Sequence, residues 1–122
     1  MRSMNYNQNV QDYFANLKHT GEFVDGVTSY LDDQGIRIKL SARIKNKKIA
    51  NLCFLAWGCP HIISATEFFC RTFESCDIQK LEQFEIKPIM QKFDIPIEKT
   101  GRILVLEDAV KSLKTIINKN EF

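Results

Sequence analysis

The stretch "IRIKLSARIKNKKIANLCFLAWGCPHIISATEFF", residues 36–69, contains two alternating segments followed by a helical one. In residues 36–44 apolar and polar side chains alternate without exception, which is typical of a strand with one face in the core and one in water. "KNKK", residues 45–48, predicts a tight turn into a second strand at residues 49–57. The predicted core residues are Leu40, Ala50, Leu52, Phe54 and Ala56, and the predicted outer residues are Arg37, Lys39, Arg43, Asn51, Cys53, Leu55 and Trp57.

After Gly58 the spacing of the apolar residues changes from two to about 3.6, which indicates a helix. Pro60 suits the first position of that helix, because a backbone N–H has no intrahelical partner there. Cys59 is therefore predicted to lie where a strand turns into a helix. The apolar stripe of this helix comprises Ile62, Ala65, Phe69 and Phe73.

The remaining segments extend this pattern in both directions. Before it we predict a short helix carrying Val10 and Leu17, capped by Asn7 or Asn9, and a strand at residues 23–31. After it we predict short helices at residues 77–84 and 88–93, an extended "DIPIEK" at 94–99, and a last helix with Leu113 on its buried face. The predicted fold is a single α+β domain, residues 1–122, with a three-stranded antiparallel sheet and helices packed on one face.

Composition excludes several classes of function. A chain of 122 residues with a formal charge of +2 gives little reason to expect nucleic acid or an anionic membrane as a partner. No apolar run reaches the length of a membrane span, and the N-terminus lacks the apolar centre of a signal peptide. We therefore expect a cytoplasmic protein whose four cysteines stay reduced.

Cys59 is the thiol with the most reactive predicted setting. Free N–H groups and the positive end of the dipole at a helix start favour the thiolate, which is the form that attacks sulfur or binds metal. His61 could serve it as a proton partner or as a second ligand. The alternative is that Cys59 only caps the helix and His61 lies on the surface. We expect Cys70 in the core, Cys53 half-exposed, and His19 on the surface without a partner.

Four motifs in this order resemble those of the IscU/NifU-type iron–sulfur cluster assembly scaffolds. They are "VQDYF" (10–14), "TGEF" (20–23), "WGCPHII" (57–63) and "GRILVLEDAV" (101–110), so the resemblance covers nearly the whole chain. It implies the α+β fold already predicted, and it places Cys59 at the middle of the family's three cysteines.

The resemblance also implies that most of the cluster ligands are missing. The family's Cys-Gly-Asp aligns with Gln34, Gly35 and Ile36, and its Lys-x-His-Cys keeps Lys99 but replaces His-Cys with Gly101 and Arg102. The chaperone-recognition motif is altered to "IPIEK", residues 95–99. Of the family's cysteine, aspartate and histidine ligands, only the middle cysteine remains.

These observations predict a scaffold-like protein of iron–sulfur cluster assembly, without enzymatic activity, that retains Cys59 as a persulfide acceptor, assisted by Arg102, or as an iron or cluster ligand. Any metal site would comprise Cys59, His61 and Asp33, and would hold iron, a cluster or zinc weakly or share it between two chains. The predicted partners are a cysteine desulfurase or other assembly proteins, and a second copy of the chain. The alternative is a non-catalytic interaction module that kept the fold, with Leu55 and Trp57 on its contact surface.

Overall fold

The computed structural model describes residues 6–120 and confirms the α+β prediction. Helix α1 is followed by three strands and then by helices α2, α3 and α4, with short 3₁₀ turns at Ile78–Gln83 and Ile97–Lys99. The bounds are α1 Gln8–Ala15, β1 Val27–Asp33, β2 Ile36–Lys45, β3 Lys48–Trp57, α2 Pro60–Phe73, α3 Lys87–Lys92 and α4 Thr100–Lys119.

The three strands form an antiparallel meander in the order β1-β2-β3. Asp33 pairs with Ile36 and Lys45 pairs with Lys48, so each hairpin has a turn of two residues. The β2–β3 hairpin turns at Asn46 and Lys47, whose φ angles of 53° and 62° are those of a type I′ turn. The predicted "KNKK" turn is therefore confirmed.

Helices α2 and α4 cover one face of this sheet. Helix α4 packs against β1 and β2, and α2 packs against β3. Leu40, Phe54, Phe69 and Leu113 are all buried, as the alternation and the helical spacing predict. At the start of α1, Asn7 accepts a hydrogen bond from the backbone N–H of Val10 at 2.9 Å and is therefore the cap.

The other face of the sheet is partly covered by residues 19–25, which the sequence did not indicate. Thr20 forms a parallel bridge with Phe54 at the free edge of β3, and Phe23 then lies 4.1 Å from the guanidinium of Arg43 on β2. The predicted strand at 23–31 consequently begins only at Val27. Cys53, expected to be half-exposed, is 6% exposed.

The segment before α4 also differs from its prediction. "DIPIEK" is not extended throughout, because Ile97–Lys99 form a 3₁₀ turn that the N–H of Lys99 closes onto the carbonyl of Pro96 at 2.9 Å. The predicted helix at 77–84 is likewise a 3₁₀ helix, Ile78–Gln83. Lys99 is the last residue of the 3₁₀ turn, and its side chain forms part of the candidate site described below.

Candidate functional site

Cys59 lies at the N-cap of α2, immediately after β3, as predicted. Its carbonyl accepts the N–H groups of Ile62 and Ile63 at 3.0 and 3.1 Å, so the backbone of Cys59 begins the helix. Its thiol makes no capping hydrogen bond and is half-buried. The sulfur therefore has no capping role and remains available for chemistry.

The cation beside this sulfur is Lys99. Lys99 Nζ lies 3.7 Å from Cys59 Sγ and 3.0 Å from His61 Nδ1. Because an ammonium group can only donate hydrogen bonds, the ring nitrogen must be the acceptor. One lysine thus bridges a thiol and an imidazole that belong to the first turn of α2.

His61 is buried rather than a surface residue, with 6% of its surface exposed. The ring of Tyr6 packs edge-on against it at a centroid distance of 4.7 Å. Burial first, and then the positive charge of Lys99, lower the pKa of His61 to about 4. His61 is therefore neutral near pH 7, which agrees with its role as an acceptor from Lys99.

Tyr6 completes the group from the N-terminal segment. Its ring centroid lies 5.8 Å from Lys99 Nζ, within the range of a cation–π contact. Burial, and then the charge of Cys59, raise the pKa of the Tyr6 hydroxyl. Cys59, His61, Lys99 and Tyr6 are hereafter called the thiol cluster.

The positions aligned with the lost family ligands lie together around the β1–β2 turn and the start of α4. A Cβ added to Gly101 would lie 3.7 Å from Gln34 Oε1, and a Cβ added to Gly58 would lie 2.9 Å from Ile36 Cδ1. The turn residues before β2, the end of β3 and the first turn of α4 therefore converge. The segments in which the resemblance expects cluster ligands are thus close to one another in this chain.

Two predicted site residues form no hydrogen bond or ion pair with the thiol cluster within residues 6–120. Arg102 is exposed, and no hydrogen bond or ion pair within residues 6–120 connects it to Cys59. Asp33, also exposed, accepts a hydrogen bond from the backbone N–H of Gln34 at 2.9 Å. The residue that contacts the sulfur is Lys99, whose role the sequence pattern did not reveal because the contact joins positions 40 residues apart.

The donors present do not fit a resident metal or cluster. Across the described part of the chain, no group of three or more His, Cys, Asp or Glu side chains is arranged to hold a metal ion. Cys59 and His61 supply two donor atoms, and Lys99 already donates to both of them. A [2Fe–2S] cluster requires about four ligands, mostly thiolates.

A second polar cluster includes His19, which the sequence predicted to be a surface residue without a partner. His19 Nδ1 lies 2.7 Å from Glu67 Oε2, and His19 Nε2 lies 3.0 Å from Glu74 Oε1. Glu67 is fully buried and also accepts from Arg71 Nε at 2.9 Å, while Glu74 accepts from the N–H of Leu52 at 2.9 Å. The backbone N–H groups of Lys18 and His19 also donate to Glu67 Oε1, each at 3.0 Å, so this network attaches residues 18–19 to α2 and β3.

The sequence of this chain is similar to those of known proteins. The family described as NifU-like N terminal domain matches residues 5–119. The chain is 26% identical over 116 residues to the iron–sulfur cluster assembly scaffold protein IscU of Buchnera aphidicola from Acyrthosiphon pisum, a match that covers 89% of this chain and 91% of that protein. It is also 26% identical over 113 residues to the iron–sulfur cluster assembly protein IscU of Plasmodium falciparum, covering 88% of this chain and 70% of that one.

Solved structures agree on the fold. The N-terminal NifU-like protein of Brucella abortus superposes with a TM-score of 0.74 at 8% identity, covering 95% of both chains. A protein described as a scaffold for the SUF system of Fervidobacterium islandicum superposes with a TM-score of 0.73 at 14% identity, covering 89% of this chain and 96% of the other.

Proposed function

This chain belongs to the NifU-like N-terminal domain family, and from that premise we propose that it acts in iron–sulfur cluster assembly as a sulfur acceptor on Cys59. The observation that carries the proposal is a thiol that is free of capping and lies 3.7 Å from a lysine ammonium. A sulfur acceptor needs only one such thiol, whereas a cluster scaffold needs several ligands on the same chain.

The reaction is a transfer of sulfane sulfur between two cysteines. The Cys59 thiolate attacks the terminal sulfur of a persulfide on a donor protein, and a new S–S bond forms as the donor's S–S bond breaks. The electron pair of the broken bond leaves on the donor's cysteine sulfur, which becomes a thiolate. Cys59 then carries an anionic persulfide, and no external oxidant or reductant is consumed.

A cysteine desulfurase is the class of enzyme that supplies such a persulfide, and it is the partner we propose.

The four cysteines of the chain are free thiols, which suits the reducing cytoplasm. No helix within residues 6–120 has the length and apolar character needed to cross a bilayer. Iron, zinc or a cluster would have to take further ligands from a second copy of the chain or from an acceptor protein.

The exposed outer face of the sheet favours one other function. Trp57 is 50% exposed and Tyr30 49% exposed, and Tyr30 lies in the same cross-strand row as Lys39 and Leu55. Such a face suits a protein contact. A pure interaction module would use this surface and would not need a reactive Cys59.

Anaerobic incubation with a cysteine desulfurase and cysteine, followed by alkylation and peptide mass spectrometry, tests the proposal. We expect persulfide on Cys59, no transfer to Cys59→Ala, and normal transfer to Cys76→Ala. Cys76 is the matched control because it is also half-buried and has no lysine beside it among the described hydrogen bonds. Persulfide on another cysteine, or on none, would leave the interaction module as the better account.

A further inference from the structure

We propose that Lys99 is the fixed cation of the thiol cluster: it selects an anionic sulfur species on Cys59 and excludes divalent metal from the Cys59–His61 pair. The sulfur-binding part of this inference rests on the proposed function. The metal-excluding part rests only on the geometry of the site.

Three contacts fix the ammonium group. Lys99 Nζ donates to His61 Nδ1 at 3.0 Å and to Cys59 Sγ at 3.7 Å, and it lies 5.8 Å from the Tyr6 ring centroid. His61 is itself buried against Tyr6, so the acceptor that orients the lysine cannot readily turn away. The 3₁₀ turn Ile97–Lys99 determines the direction from which the lysine enters.

Metal exclusion follows from the two atoms to which Lys99 donates its hydrogen bonds. A thiolate sulfur and a neutral imidazole nitrogen are the ligands that zinc and iron prefer. Here both donor atoms face the same ammonium group, so a divalent ion would have to displace it and would meet its positive charge. The chain thus carries its own cation at the place where a metal would bridge these two donors.

Selection of anionic sulfur follows from the same contact. A persulfide places a second, negatively charged sulfur one S–S bond, about 2 Å, beyond Cys59 Sγ. Lys99 Nζ lies 3.7 Å from Sγ itself. A charge-assisted hydrogen bond from Lys99 would stabilise this anion and orient its terminal sulfur. Lys99 therefore acts on the reacting sulfur itself, whereas Arg102 is exposed and outside its contacts.

Lys99→Met, which keeps the length of the side chain and removes its charge, tests both parts with opposite expected changes. Binding of Co²⁺, followed by the thiolate-to-cobalt charge-transfer absorption, should rise in Lys99→Met from a negligible level in the native chain. Persulfide formation on Cys59 should become about fivefold slower, as expected for loss of one partly exposed charge pair. Lys99→Arg should behave like the native chain in both measurements. Lys111→Met is the control, because Lys111 is an exposed lysine of α4 that pairs with Glu107 and not with the thiol cluster.

A site that is merely disordered would accept sulfur more slowly and would still bind no cobalt, so a gain of cobalt binding together with slower sulfur transfer separates this role from a structural one. Lys99→Met that still binds no cobalt, or that accepts sulfur at the native rate, would overturn the proposal. If cobalt binding appears in Lys99→Met while the native chain accepts no sulfur on Cys59, metal exclusion stands and the proposed function fails. Cobalt binding in Lys99→Met must also disappear in Lys99→Met/Cys59→Ala; if it persists, the metal lies elsewhere and the assignment is refuted.

Discussion

At the scale of single residues, the two histidines have opposite electrostatic environments. Burial by itself lowers the pKa of His19, but its hydrogen bonds to Glu67 and Glu74 and their charges outweigh burial, so the pKa of His19 is raised. His61 accepts a hydrogen bond from Lys99 and has no carboxylate hydrogen-bond partner among the described residues. Burial and the charge of that lysine lower the pKa of His61 to about 4. The two groups therefore affect stability in different ranges of pH.

We predict that the free energy of unfolding passes through a maximum near the ordinary histidine pKa of about 6.5. His61 binds a proton more readily when unfolded, so stability rises as pH increases from about 4 to 6.5. His19 binds its proton more tightly when folded, so its contribution is complete below 6.5 and is lost as pH rises through its raised pKa. Urea unfolding across this range measures both effects.

His19→Gln should remove the decline above pH 6.5 and leave the rise below it, because Gln keeps hydrogen-bonding capacity but does not titrate. A decline that persists unchanged in His19→Gln would contradict the assignment.

The four thiols should differ in their rates of alkylation. Burial raises the pKa of Cys53, and it raises that of Cys70 further, so both should react slowly at neutral pH. Cys59, half-buried beside Lys99, should react first, and Cys76 should follow. Iodoacetamide labelling with peptide mass readout gives the order.

Arg102→Ala also tests the sequence-based expectation that Arg102 assists Cys59: slower labelling of Cys59 would support it, and unchanged labelling would leave Lys99 as the assisting cation.

Among the helices and strands, the spacing of apolar residues predicted the elements that depend on local sequence. The alternation in residues 36–44 predicted the core-facing row of β2. In β3 the prediction holds for Leu52 and Phe54, but Ile49 is fully buried and Ala50 only half-buried, next to the shift in strand pairing between Arg43 and Ile44. The change of period at Gly58 located the start of α2 within one residue of Cys59. The 3₁₀ turn at Ile97–Lys99 was missed because its residues carry no periodic signal of their own. The cover over Cys53 was missed because it comes from residues about 30 positions earlier in the chain.

Truncating the core at the contact of β3 with α2 should be costly. Phe54→Ala or Phe69→Ala should lower the free energy of unfolding by about 3–5 kcal/mol, since each ring is almost fully buried and its removal leaves a cavity. Arg37→Ala, on the exposed row of β2, should change it by less than about 0.5 kcal/mol. Chemical denaturation gives all three values. Losses below about 1 kcal/mol at both phenylalanines would mean that the buried faces are assigned incorrectly.

Across the molecule as a whole, the fold is that of the NifU-like N-terminal domain family, whereas the resemblance implies that this chain keeps only one of the family's cluster ligands. Gly101 lies beside Gln34, and both stand at positions where the family resemblance expects ligands, while Cys59 carries the thiol expected at the middle cysteine. The family resemblance implies this loss position by position. It did not reveal that Lys99, from the turn before α4, approaches both Cys59 and His61.

The contacts that the sequence did not predict join residues far apart in the chain. Cys59 was found because a strand-to-helix junction is visible in local periodicity, whereas a lysine 40 residues away contacts it only through the packing of α4 on the sheet. The His19–Glu67–Glu74 network was missed for the same reason. Contacts between distant segments determine both clusters.

Anaerobic reconstitution of the native chain with ferrous iron, cysteine and a cysteine desulfurase distinguishes a sulfur acceptor from a cluster scaffold. After desalting, sulfane sulfur and iron bound to the monomer are measured together with the visible absorption spectrum. We predict close to one sulfane sulfur per chain, lost in Cys59→Ala, with iron far below one atom per chain and no cluster absorption. A stable [2Fe–2S] spectrum with one cluster per monomer would contradict the account, because it would require ligands beyond Cys59 and His61.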